Sequence, residues 1–141
     1  MKNAEIGFNE QWSRWEPIAG IYGKYEIHRI LYNHDDFRLI LKGHHERAFI
    51  EVVFPQTLAA IRIANESVVF MIYEWLSIKY GKDFYADWCF FKVENSDCLK
   101  WLSNGTNGVS EEYGLIHYVV TDLDLVIDVV TRHAPIVNLL P

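Results

Sequence analysis

KYEIHRILYN at residues 24–33, FRLILK at 37–42 and RAFIEVVF at 47–54 decide the fold. In the first segment Tyr25, Ile27 and Arg29 alternate with Glu26, His28 and Ile30. In the second, Phe37, Leu39 and Leu41 share one side of an extended chain, because successive side chains of a strand point to opposite faces. The third is rich in β-branched and aromatic residues, which suit a half-buried pleated surface. Residues 33–36 (NHDD) and 43–46 are polar turn clusters between these runs. Three strands joined by short polar turns make an antiparallel meander.

Beyond the meander, Pro55 interrupts the ladder, since proline has no N–H to donate. Residues 58–64 (LAAIRIA) read as a fourth strand, with Ile61 and Ile63 flanking Arg62. Asn65 or Ser67 then caps a helix over 67–80, where Val69, Ile72, Tyr73, Leu76 and Tyr80 recur near helical spacing. Gly81 is its stop. Residues 84–93 (FYADWCFFKV) form another β-prone run. Asn95 or Ser96 caps a short helix over 97–102, with Asp97 well placed at its N-terminus. SNGTNG at 103–108 reads as a loop, 115–121 as a strand, 122–124 as a turn and 125–131 as the final strand, ended by Pro135.

Before the meander, residues 1–17 carry Phe8, Trp12 and Trp15 and close on Pro17. An arm packed on the body and a short helix both fit this spacing. Summed, the expectation is an α+β fold: a mostly antiparallel sheet of five to seven strands with two or three helices packed on it. No repeat, low-complexity tract or linker interrupts residues 1–141, which read as a single domain.

Composition narrows the function classes. The chain has 141 residues, half of them apolar and 15% aromatic, enough for one core and far from a disordered composition. No apolar stretch approaches the roughly 18 residues of a membrane span. The polar N-terminal segment lacks a secretory core, so a cytoplasmic protein is expected. Residues 1–50 hold seven acids and seven bases, and residues 51–141 hold twelve acids and six bases, so the net charge of −6 lies entirely in the second part. Within 94–128 seven acids face one base, Lys100. That balance disfavours direct binding of nucleic acid and suits a basic protein partner. Cys89 and Cys98 read as buried free thiols.

Motifs for chemistry are absent from the sequence: no HExxH, CxxC, GxSxG or P-loop. The adjacent His44 and His45 would point opposite ways in an extended chain and seldom share a metal. The carboxylate pairs Asp35–Asp36, Glu111–Glu112 and Asp122–Asp124 all fall in expected turns or loops, where solvated acids are the rule. No catalytic, cofactor or metal site is therefore read. His117 reads as a half-buried sheet residue; the alternative is an enzyme or small-molecule pocket on an open sheet face, using His117 and nearby carboxylates. Of the five tryptophans, Trp88 reads as core and Trp101 as a possible interface anchor.

FFKVENSDCLKWL at 90–102, followed by IHYVVTDLDLVIDVVTRHAP at 116–135, resembles small immunity proteins of bacterial toxin–immunity systems, including those of contact-dependent growth inhibition. The resemblance covers residues 90–135. It implies a cytosolic protein that binds one toxin domain, often a nuclease with a basic cleft, and blocks it without catalysis. The quoted strings would then be framework, and no binding residue carries over by matching. Charge and expected loop position make Glu111, Glu112, Asp122 and Asp124 the candidate partner contacts, with Trp101 as anchor.

Overall fold

The computed structural model describes residues 9–21, 23–43, 49–55, 58–108 and 114–141. The meander forms as the sequence dictates: β2 (Tyr25–Tyr32), β3 (Asp36–Gly43) and β4 (Phe49–Pro55) pair antiparallel in that order. Phe37, Leu39 and Leu41 are buried, as are Ile50, Val52 and Phe54 opposite them. A register shift between Ile27 and Arg29 puts a bulge in β2. After β4 the chain continues as β5 (Leu58–Asn65), and Asn65 ends the strand by capping α1 (Glu66–Tyr80). Its side-chain oxygen accepts from the Ser67 N–H at 3.1 Å.

Then follow α2 (Asp83–Ala86), β6 (Phe90–Glu94), α3 (Asp97–Gly105), β7 (Ile116–Thr121), β8 (Leu125–Thr131) and β9 (Ile136–Leu140). With β1 (Gln11–Arg14), the described residues make nine strands in two antiparallel sheets, β1-β6-β7-β8-β5 and β2-β3-β4-β9. The α+β class holds, with the strands divided between two sheets rather than gathered in one.

The sheets stack face to face. Phe37, Leu39, Ile50, Val52 and Phe54 of one share a buried cluster with Phe90, Tyr118, Val120, Ile127 and Val129 of the other. The far face of the five-stranded sheet carries a second cluster, in which Trp12, Phe91, Val93, Val119 and Val126 pack against Val69, Ile72 and Leu76 of α1. β7 and β8 are therefore buried on both faces, which is why they read as nearly continuous apolar runs.

Three local expectations change, and one choice left open is resolved. Residues 11–14, expected as an arm packed on the body or a short helix, form an edge strand on β6; alternation buries Trp12 against Phe91 while Gln11 and Ser13 face water. The 84–93 run is split. Phe84 and Tyr85 lie on a short helix whose rings stack on Tyr80 and Tyr73 of α1, at 4.4 and 4.5 Å, and only Phe90 onward is strand. The helix begun at Asp97 runs on through Gly105, so half of SNGTNG is helical. Pro135 does not close the structure, because β9 follows it and pairs with β4.

Candidate functional site

β6 leads into α3 through one tight turn. Asn95 takes the left-handed conformation (φ 51°), which asparagine tolerates better than most residues. Its side-chain amide donates to the Asn9 carbonyl at 2.6 Å. Ser96 is extended, and its Oγ accepts from the Leu99 N–H at 3.1 Å, a helix N-cap. Glu10 supplies a second cap: one carboxylate oxygen accepts from the Asp97 N–H at 2.9 Å and the other from the Trp12 indole at 3.2 Å. A buried carboxylate thus sits at the positive end of the α3 dipole.

From Ser96 a chain of hydrogen bonds crosses the five-stranded sheet. Ser96 Oγ lies 2.7 Å from His117 Nδ1, and His117 Nε2 lies 2.7 Å from Asp128 Oδ1. Asp128 Oδ2 accepts from Arg62 Nε at 3.0 Å. The register explains the meeting: Asp128 is directly opposite Arg62 on β5 and Val119 on β7, which leaves His117 on its diagonal. An ionised carboxylate only accepts, so Nε2 carries the proton toward Asp128 and, in the neutral ring, Nδ1 accepts the Ser96 hydroxyl. Burial works against the Asp128 charge, but the hydrogen bond from His117 and the charge and hydrogen bond of Arg62 outweigh it and hold the carboxyl below its ordinary range. Burial likewise opposes the Arg62 charge, and Asp128 more than offsets it.

A serine, a histidine and an aspartate in line suggest hydrolysis, but the surroundings are those of a fastening. Ser96 and His117 are each 1% exposed. Two first-turn amides beside the serine, those of Asp97 and Leu99, are already taken by Glu10 and by Ser96 itself. An oxyanion site needs such donors aimed at open space. His117, expected as a half-buried sheet residue, is wholly buried, and the open sheet face supposed for the enzyme alternative is covered there. No buried side-chain polar atom among the described residues lacks a partner, and none of their His, Cys, Asp and Glu side chains form a cluster of three that could hold a metal. His44 and His45 lie outside the described residues.

What this network holds in place is α3. The helix turns Cys98 inward, keeps Leu99 and Leu102 half-buried, and leaves Asp97, Lys100 and Trp101 in water, the indole 65% exposed. A recess of about 500 Å³ runs alongside, bordered by Asn95, Ser96, Leu99, Lys100 and Ser103.

The β7–β8 turn lies at the far end of β7. Asp122, expected as a solvated loop acid and partner contact, is instead buried, with both carboxylate oxygens engaged. One accepts from the Ile27 N–H of the other sheet at 2.8 Å, and the other from the Asp124 and Leu125 N–H groups, each at 2.8 Å. It is a tie between sheets. Its neighbours Leu123 and Asp124 are exposed and, with Lys24 and Glu26, line a recess of about 240 Å³. Ser96 meets β7 at its second residue and the turn follows its last, so some 13 Å of strand separates them at about 3.3 Å per residue. Trp101 and Asp124 are thus carried by elements at opposite ends of β7. Glu111 and Glu112 lie outside the described residues.

Sequence reading missed the Glu10–Ser96–His117–Asp128–Arg62 assembly. The available signal was a polar or charged residue set alone in an apolar strand run, present in IRI, LIH and VIDVV. No known protein family, curated protein or solved structure matches the chain.

Proposed function

We propose that the chain is an immunity-type protein that binds a cognate bacterial toxin domain and neutralises it by contact alone. The observation that carries this reading is Trp101, a large aromatic held in solvent on a helix that buried polar bonds fix at its N-terminus. A rigid element that presents an aromatic anchor loses little entropy on binding. Glu94 and Asp97 are exposed nearby, and Glu111 and Glu112 add charge in the segment between α3 and β7. Acidic charge of this kind speeds encounter with a basic cleft such as a nuclease's. A cytoplasmic location fits the same reading, and no helix among the described residues is long and apolar enough to cross a membrane.

Calorimetric titration against a catalytically disabled toxin domain encoded by the adjacent gene tests it. Equimolar binding of about nanomolar affinity is expected. No heat between two folded proteins would overturn the reading.

A small-molecule-binding or enzymatic reading has one observation in its favour: Ser96, hydrogen-bonded to His117, borders the recess beside α3. A fluorophosphonate probe separates the two. Labelling at Ser96, abolished by Ser96→Ala, would favour hydrolysis; an unlabelled protein is expected.

A further inference from the structure

Each sheet ends in two strands with one unpaired side among the described residues: β1 and β5 in one sheet, β2 and β9 in the other. Exposed edges invite pairing with another chain, and proteins blunt them with charges, bulges or extreme shortness. β1 has four residues and carries Arg14. β2 carries Glu26 and Arg29 and a bulge between Ile27 and Arg29. β5 carries Arg62 and a bulge between Leu58 and Ala60. β9, Ile-Val-Asn-Leu-Leu at 136–140, has no charge and pairs with β4 in continuous register. It also displays apolar surface: Ile136 is 65% and Leu139 61% exposed.

We infer that β9 is the pairing edge for a second copy of this chain, joining two four-stranded sheets across a two-fold axis at Asn138. The occupant follows from the strand's own pattern. Antiparallel pairing about Asn138 sets Ile136 opposite the partner copy's residue 140, a leucine, and Val137 opposite its residue 139, also a leucine. Asn138 then meets its own counterpart. Every apolar position meets an apolar one, no like charges are opposed, and each exposed side chain gains an apolar neighbour on its own face of the sheet. The same segment therefore serves as both halves of the contact, as an isologous interface requires. The nearest charge on that face, Glu51, which accepts from the Asn138 amide at 3.3 Å, is neutralised by Arg38 at 3.0 Å. Pro135 and Pro141 flank the strand and confine the ladder to its five residues, which fixes the register. The other edges are blunted, so the assembly closes at two copies and does not propagate.

Sedimentation velocity over a concentration series reads the mass, and a register-specific crosslink reads the geometry. The wild-type chain is expected to move from 16.5 kDa toward twice that mass as concentration rises. Leu139→Lys, at an exposed position, should remain monomeric with an unchanged circular dichroism spectrum. Ala59→Lys, on the β5 edge, should dimerise like the wild type. Asn138→Cys should form an intermolecular disulfide on mild oxidation, because directly opposed antiparallel residues have Cα atoms about 4.5–5.5 Å apart, within disulfide range. Cys89 and Cys98 are buried and should not compete. A monomer at every concentration, a folded Leu139→Lys dimer, or larger open-ended species would each overturn the inference. None of these outcomes bears on toxin binding, which is measured separately.

Discussion

Asp128 stands alone in the run LVIDVVT, and its burial is tolerable only because two neighbours answer its charge. Removing one member of such a buried set leaves the others unmatched, which costs about 3 kcal/mol. Asp128→Asn should therefore lower stability by about that amount in urea unfolding. The pH dependence has a definite sign. The folded carboxyl titrates below its ordinary value of 3.8, so the unfolded chain binds more protons as that value is approached. The stabilisation is present above about pH 4 and is lost as pH falls through the folded pKa. In Asp128→Asn this part of the acid loss should vanish, leaving a flatter stability curve on the acid side. A thiol gives a second test at this scale. Burial, opposed in part by the Tyr25 N–H, pushes Cys89 up to about 11. The native protein at about pH 8 should leave Cys89 unmodified by a thiol reagent, with reaction appearing only on denaturation.

At the scale of elements, legibility followed what each element buries. The β2–β4 meander has one core face, and alternation reveals it. α1 has a cap, a periodic apolar set and a glycine stop. The segments left open or misread take their state from distant partners. Trp12 is extended because β6 and Phe91 are there to receive it, and Phe84 is helical because Tyr80 offers a ring to stack on. β9 escaped notice because a proline precedes it and β4, some eighty residues earlier in the chain, is what makes it a strand. The candidate contacts divided in the same way. Asp122 looked like Asp124 in the sequence, yet only Asp122 is drawn inward by the Ile27 amide of the opposite sheet. Trp101 kept the exposure its place beside a polar segment suggested. Trp101→Ala should weaken toxin binding by about 2 kcal/mol or more, roughly thirtyfold, measured calorimetrically. The melting temperature should hardly move, since the indole packs little in the free protein.

For the whole molecule, charge and architecture divide the work. The fold stacks two sheets and covers one of them with α1, leaving short elements such as α3 to face outward from a rigid base. On the proposed reading the acid surplus of residues 51–141 would act at longer range. Reversing Glu111 and Glu112 to lysine should slow association with a basic toxin domain markedly at low salt, and the effect should shrink as salt screens the field. Stopped-flow association over a salt series checks this; an unchanged on-rate at low salt would remove these two acids from the encounter surface.

Neutralisation itself is the central claim, and a titration of toxin activity tests it most directly. On the proposed reading a neighbouring gene would encode the toxin domain; that domain, in active form, is assayed on its own substrate while the purified chain is added in steps. The account predicts that activity falls linearly to zero at one equivalent, and that Trp101→Ala requires an excess to reach the same point. Undiminished toxin activity in the presence of excess folded chain would contradict it.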